Sequence, residues 1–293
     1  ALQDSDTIRY VSVFHEQVAA HAADAYFRAS GRIAAVTTTV GPGFTNLATG
    51  LGDALLDSSA MVVIGGGMPS AYVGKEPIQE LSYSIDNAQL DILRPLCKRV
   101  ISATVPSELS SQLHRAVNYA LSGCPGPVVL QVPLDFFSAQ VPPANKDFRP
   151  VRVRRSGPDP REVAKAVELI AQSKRPLLFA GGGSVISGAS SALTGLANNF
   201  GIPVATTMSG QGAIAEDHQL AVGFTGVVGT RPANHAAKHA DLLIAVGTRF
   251  PEMDCSSWSP IHFTSIPPSR LIHIDIDPHQ IDKIYPTDAA LIG

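Results

Sequence analysis

Charge is scarce in this chain: of 293 residues only 16% are Asp, Glu, Lys or Arg, and the formal net charge is −3. The densest basic cluster is Arg152, Arg154 and Arg155, too short to track a phosphate backbone, so no nucleic acid is expected as a partner. Long apolar runs are also missing. Stretches such as Met61–Ile64 and Leu242–Val246 fall well short of the ~20 residues that span a bilayer, and no membrane partner is expected. Cysteines number three, Cys97, Cys124 and Cys255, with no Cys-x-x-Cys pair. An odd, widely spaced set fits a reducing compartment better than a disulfide framework. No charged-then-apolar targeting segment opens the chain, and the expected location is the cytoplasm. A G-x-S-x-G elbow and a P-loop lysine motif are absent too, which weakens hydrolase and nucleotide-triphosphatase readings.

What is present describes a loop-punctuated globular protein: 45% hydrophobic residues, 25 glycines and 22 prolines. The length suits two α/β units, and the sparse charge points to oligomerisation. Helical and extended patterns alternate in the first half. Gln17–Ser30 places Val18, Ala22, Ala25, Tyr26 and Ala29 on one stripe and stops at Gly31, a helix-ending residue, before the β-branched run Ile33–Val40. Gly41-Pro42-Gly43 forces a turn. Leu47, Leu51, Ala54 and Leu55 then recur at helical spacing ahead of an expected strand at Met61–Ile64. A helix near Ser107–Leu121 and a strand at Val128–Val132 continue the pattern. Such alternation implies parallel sheets built by crossovers, with sites at the carboxyl ends of the strands.

The segment Val141–Pro160 carries five prolines and no apolar periodicity, as an interdomain connector would. The expected division is residues 1–145, a linker over 146–158, and 159–293. Asp159-Pro160-Arg161-Glu162 combines a capping acid, a proline at the first helical position and a glutamate at the third. The second half then reads as strand Leu177–Ala180, glycines Gly181–Gly183, helix Ala189–Phe200, strand Pro203–Thr207, helix Ala233–His239, and strands Leu242–Val246 and Leu271–Ile276. The fold class is therefore α/β, with two doubly wound parallel-sheet domains.

Taken one at a time, the candidate motifs are ambiguous. Gly181-Gly182-Gly183-Ser184 leaves a strand and enters a helix, where free N–H groups favour a phosphate, but Ile186 breaks G-x-G-x-x-G, and a purely structural tight turn fits as well. Asp275 or Asp277 at a strand end could hold a ribose hydroxyl or be solvated. His235 and His239 stand at i, i+4 without an intervening Glu or a third ligand, the pattern of surface histidines rather than zinc, so no metal is assigned within the chain. Glu16, alone, is a first-turn acid favoured by the helix dipole.

In combination the blocks say more. YVSVFHEQVAAHAADAYFRASGR (10–32), TTTVGPGFTNLATGLGDALLDS (37–58), IQE (78–80), CPGPVVLQVPLD (124–135), GTRF (247–250) and HIDIDP (273–278) stand in one order. It is the order of thiamine-diphosphate enzymes of the acetohydroxyacid (acetolactate) synthase large-subunit type, and the chain resembles that family over nearly its whole length. The resemblance implies a pyrimidine-binding domain, then a central domain. A first strand and helix ahead of Ala1, and a third domain after Gly293 with the diphosphate and Mg2+ ligands, would belong to the rest of such a protein, so this chain alone is expected to turn over nothing.

The resemblance also implies roles. Glu16 would meet the aminopyrimidine ring nitrogen of thiamine diphosphate and so activate the cofactor, a step eased if burial raised its carboxyl pKa. Gly41, Pro42 and Gly43, with Asn46, would form the wall beside the pyrimidine. Gln79 would lie near the reaction centre, and Lys98 holds a recurrent basic position. Synthases of this type hold FAD in the central domain, other members ADP or nothing. The matching positions are Arg155, Gly181, Gly182, Gly183, Thr207, Met208, Gly229, Arg231, Arg249 and Asp275. The implied activity is decarboxylation of a small-molecule 2-oxoacid and carboligation, in a homodimer or homotetramer. Other branches (a C–C hydrolase, a sulfoacetaldehyde acetyltransferase or an acyl-CoA lyase) stay open, as does a non-catalytic nucleotide-binding module. Val40 stands where the family has serine, Ile78 where it has phenylalanine, and PEMDCSSW where synthases read Asp-Asp-Arg.

Overall fold

A computed structural model describes residues 5–81, 83, 87–141 and 151–293. Two compact units divide the chain, Ala1–Arg154 and Arg155–Gly293. Part of the expected connector, 142–150, lies outside the described residues.

In the first unit four parallel strands stand in the order β1-β2-β4-β3: β1 (Ala34–Thr38), β2 (Met61–Gly67), β3 (Arg99–Ser102) and β4 (Pro127–Pro133). Successive side chains of a strand face opposite ways, and the core splits accordingly. Met61, Val63 and Val129 pack with α1 (Glu16–Ser30), α2 (Pro42–Leu56) and α3 (Ala88–Leu93). Val62 and Val128 pack with Ala116 and Ala120 of α4 (Leu109–Leu121) on the other face. α1 stops at Gly31, in the left-handed region at φ 67° with its N–H on Phe27 O, as a helix-ending glycine does. Tyr10–Phe14, the segment leading into α1, forms no strand.

The second unit has six parallel strands in the order β10-β9-β8-β5-β6-β7: β5 (Pro176–Ala180), β6 (Val204–Thr206), β7 (Ala221–Phe224), β8 (Leu242–Val246), β9 (Arg270–Asp275) and β10 (Ala289–Ile292). Counted within the unit this is the 3-2-1-4-5-6 order of dinucleotide folds, reversing between β5 and β8. Leu178, Ala180, Leu242 and Ile244 face α5 (Pro160–Gln172) and α7 (Ser190–Phe200). Leu177, Phe179, Leu243 and Ala245 face α8 (Arg231–His239). Both units are thus doubly wound.

Asp159 caps α5, accepting the Arg161 N–H at 2.8 Å. Glu162 does not reach back toward the cap; it accepts the Ala290 N–H at 3.0 Å and ties α5 to the edge strand β10. Among the described residues no helix is long and apolar enough to cross a membrane.

Candidate functional site

The first-unit candidates gather at the carboxyl end of its sheet. A Cβ on Gly50 would lie 2.5 Å from the Ala20 Cβ, so this glycine lets α1 and α2 approach closely. That approach brings Asn46, in the second turn of α2, to the start of α1, where its amide Nδ2 donates to Glu16 Oε2 at 3.0 Å. Next to Glu16, His15 caps α1 by accepting the Gln17 N–H at its Nδ1.

Here the structure corrects the expectation for Glu16. Its carboxyl is not raised by burial but held below the ordinary value, first by the Asn46 amide, then by its own backbone N–H, against a smaller burial effect. The side chain is only half-buried. Glu16 is therefore an ionised acceptor.

Gly41 follows β1 at φ 63° and precedes Pro42, the first residue of α2. A Cβ on Gly41 would sit 2.0 Å from the Gln79 carbonyl oxygen, and one on Gly43 2.2 Å from Thr38 Oγ1. Both glycines are demanded by close approach, and the first presses the Gln79 backbone, itself at φ 68°, against the Gly-Pro-Gly turn. Gly41, Gly43 and Asn46 are buried or half-buried, while Pro42 and Gln79 are exposed. Lys98 is spent elsewhere: its ammonium donates to the carbonyls of Ser122 and Cys124, fixing the turn between α4 and β4, and burial lowers its pKa.

In the second unit the candidates are distributed over the carboxyl ends of β5, β6, β8 and β9 and the loop after β7. In the glycine loop the backbone amides are bonded as a structural tight turn would have them. Gly181 N–H bonds Val246 O (2.8 Å), Gly183 N–H bonds Gly247 O (2.9 Å) and Ser184 N–H bonds Gly181 O (3.0 Å). Those amides are consumed, and the helix they enter, α6 (Gly182–Ile186), has five residues. The glycines are needed for packing, since a Cβ on Gly181 would meet Gly247 O at 2.2 Å.

Thr207 turns its hydroxyl to the Gly210 N–H. Met208 leaves its side chain 52% exposed while its N–H bonds the buried Asp254 carboxylate at 2.9 Å. Gly229 sits where a Cβ would strike Thr225, and exposed Arg231 begins α8. Arg155 donates to Ser187 O at 2.9 Å. Asp275 is buried and accepts the Asp277 N–H; burial raises its pKa, opposed in part by His273 and Arg249. Asp277 is spent as a cap on His279 N–H and on the Gln280 amide, which leaves Asp275 as the better ribose candidate of the pair.

His235 and His239 are exposed, their rings 4.4 Å apart. Among the described residues no group of three or more His, Cys, Asp or Glu is placed to hold a metal. Sequence reasoning missed Gln89, Asp254 and Asn234. The last grips Gly226 at both its N–H (2.8 Å) and its C=O (2.9 Å). Gln89 and Asn234 stand in no motif and Asp254 only in the unassigned PEMDCSSW segment, so their hydrogen-bond partners reveal them.

Residues 1–90 match the N-terminal TPP binding domain of thiamine pyrophosphate enzymes, and residues 163–293 match the central domain. The chain belongs to the thiamine pyrophosphate enzyme family. It is 38% identical to a probable acetolactate synthase large subunit of Methanocaldococcus jannaschii, over 100% of this chain and 49% of that protein. It is 37% identical to the acetolactate synthase large subunit of Corynebacterium glutamicum, over 100% and 45%. With an acetolactate synthase of Arthrospira platensis it shares 36%, over 99% and 50%. The chain thus spans about half the length of the curated relatives it matches.

Proposed function

We propose that the protein carrying this chain is a thiamine-diphosphate-dependent 2-oxoacid decarboxylase and carboligase of the acetolactate synthase kind. The observation that carries this reading is the Glu16 carboxyl, held by the Asn46 amide at 3.0 Å at the sheet end where the Gly41–Gly43 turn lies. The residues present fit the cofactor's pyrimidine. Glu16 offers a carboxylate to a ring nitrogen, and Gly41 and Gly43 offer bare backbone. Thr38 Oγ1, pressed on Gly43, is a buried hydroxyl without a protein partner.

When bound, thiamine diphosphate supplies the carbon nucleophile and electron sink that decarboxylation of a 2-oxoacid needs. Within this chain Glu16 would share a proton with the ring nitrogen, its carboxylate accepting the N–H of the protonated ring, Gly41–Gly43 and Pro42 would orient the ring, and the exposed Gln79 side chain would serve the reacting substrate. Diphosphate and Mg2+ are assigned to residues outside this chain. The first unit is the pyrimidine domain and the second the central domain, with the segment between them as linker.

On the second unit, exposed Met208, Val227, Val228 and Met253 lie on loops joined by the Val227 N–H to Met253 O and Met208 N–H to Asp254 bonds. That apolar face favours the flat ring of FAD over ADP, with Gly181, Gly182, Gly183, Thr207, Gly229, Arg155, Arg231, Arg249 and Asp275 around the rest of the nucleotide. Exposed Phe14, Ile78 and Tyr83 favour burial against a second copy, in a cytoplasmic homodimer or homotetramer.

Another branch of the family is the second reading, favoured by Val40, Ile78 and the PEMDCSSW segment. Product analysis of the complete protein with pyruvate separates the two. Release of CO2 with acetolactate is expected; neither product would sink the synthase reading. A flavin spectrum of the purified protein checks the nucleotide.

A further inference from the structure

Beneath the Gly-Pro-Gly turn of the first unit lies an amide clamp that the proposed chemistry does not yet use. Gln89, in the first turn of α3, is 1% exposed. Its Oε1 accepts the Gly41 N–H at 2.8 Å, and its Nε2 donates to Gly66 O at 3.3 Å. The side chain thus ties the loop after β1 to the end of β2. The residue before α3, Asn87, stands in the left-handed region at φ 60°. A reciprocal amide pair with Gln131 of β4, at 2.8 and 2.9 Å, holds it there, and Ser102 of β3 adds its hydroxyl to the same Gln131. Every strand of the sheet therefore bears on where Gln89 points.

Gly41 is confined on two sides, by the Gln89 carbonyl on its N–H and by the Gln79 backbone against its Cα. A shift of Gly41 would move both the wall and Gln79. The Gly41 N–H is already consumed, so this residue gives a ligand shape and no hydrogen bond.

We infer that Gln89 is a positioning residue: its two-ended amide sets the Gly41–Gly43 turn, and through Gly41 the Gln79 backbone, relative to Glu16. Glutamine suits the task because one side chain carries both the acceptor for Gly41 and the donor for Gly66. The inference rests on the thiamine-diphosphate reading of this site.

The test compares Gln89→Met and Gln89→Glu in the complete protein, with far-UV circular dichroism as the check of folding. Methionine fills the volume and supplies neither bond; glutamate, buried here and therefore held protonated, keeps the acceptor for Gly41 and offers its O–H to the Gly66 carbonyl. Calorimetric titration with thiamine diphosphate should show Gln89→Met binding about tenfold more weakly. Turnover of pyruvate should fall by about 10²-fold, as misplacement of a reacting group by about 1 Å does, while the KM for pyruvate holds. Gln89→Glu should recover most of both losses. A purely structural residue would lower the melting temperature in both variants without separating them in cofactor affinity.

Hydrogen exchange of the wild-type protein gives a reading independent of whether either variant folds: the Gly41 amide should be the most protected of residues 39–43. A folded Gln89→Met with wild-type affinity and turnover overturns the inference, as does a Gln89→Glu no better than Gln89→Met, or a fast-exchanging Gly41 amide. Wild-type protein that binds no thiamine diphosphate overturns the cofactor reading and this inference with it. Wild-type binding with an indifferent variant overturns the inference alone.

Discussion

Substituting Glu16 by glutamine should separate stability from chemistry by a wide margin. Glutamine keeps a carbonyl oxygen that can accept the Asn46 amide, now 3.0 Å from Glu16 Oε2, so the contact itself persists. What disappears is charge. A carboxylate in the first turn of a helix contributes about 0.3–1 kcal/mol through the dipole, and a charge-assisted bond exceeds a neutral one by about 1 kcal/mol. The side chain is only half-buried, so screening trims the sum to about 1 kcal/mol, a melting shift of about 3 °C for a unit of this size. Loss of a proton-transfer group costs about 10²–10⁴-fold in rate, or about 3–5 kcal/mol of barrier. The variant should melt near wild type and turn over pyruvate hundreds of times more slowly. Because the folded pKa of Glu16 is depressed, the wild-type stability advantage is present above the unfolded value of 4.5 and is lost as pH falls through the folded value. Thermal melts at pH 7 and pH 3.5 with steady-state CO2 release check all three statements. Turnover within about threefold of wild type would remove Glu16 from the mechanism.

Three further outcomes follow from the packing. Gly247→Ala should cost about 2–5 kcal/mol, because φ is +58° and the new Cβ would lie within 2.7 Å of the Gly183 Cα and Ser184 N; urea unfolding measures it, and a loss under about 1 kcal/mol would contradict the close packing of the two glycine loops. Asp254→Asn keeps an acceptor for the Met208 N–H and removes a carboxylate whose pKa burial raises above 3.8. A raised acid contributes stability below its unfolded pKa and loses it as pH rises through the folded one. The Asn variant should therefore be at least as stable as wild type at pH 7, the two converging toward pH 3.8; urea midpoints in the opposite order would refute the burial argument. Asp159→Ala should lower stability by uncapping α5, read as a lower urea midpoint without change in the slope; an unchanged midpoint would refute the capping role.

How much was legible in the sequence depended on how many neighbours each element has. α1, α2, β2, β4, β5 and β8 carry clear periodicity because they pack on full faces, and their residues follow it. The elements that escaped are edges or short pieces. β3 (RVIS), β7 (AVGF) and β10 (AALI) each have four residues, one strand neighbour and mostly half-buried side chains, so neither alternation nor a long apolar run marks them. α6 forms from GGSVI against glycine's low helix propensity, imposed by contact with the Gly247 loop. The expected pKa of Glu16 failed for a related reason: periodicity placed the residue on a helix, but only the approach of α2 supplies the Asn46 amide that reverses the shift.

The glycine triplet after β5 shows why a motif and a ligand site must be argued separately. A Cβ at Gly181 or Gly183 would collide with the Gly247 backbone at 2.2 and 2.8 Å, and one at Gly210 with Ala180 O at 2.1 Å. Loop packing at the reversal of strand order alone requires these glycines, so their identity says nothing independent about a nucleotide. The useful signal lies in residues whose exposure the fold does not require. Apolar side chains left in water cost about 25 cal/mol per Å2 relative to burial. Met208, Val227, Val228 and Met253 are each more than half exposed on loops that Asp254, Asn234 and Gly226 brace by buried or part-buried bonds. A polar-braced loop that presents apolar atoms outward gains stability when an apolar group covers it. If the second unit binds FAD, the Asn234→Ala variant, which releases Gly226, should weaken flavin retention while the sheet of that unit stays folded. Unchanged flavin stoichiometry after dialysis would place the ring elsewhere.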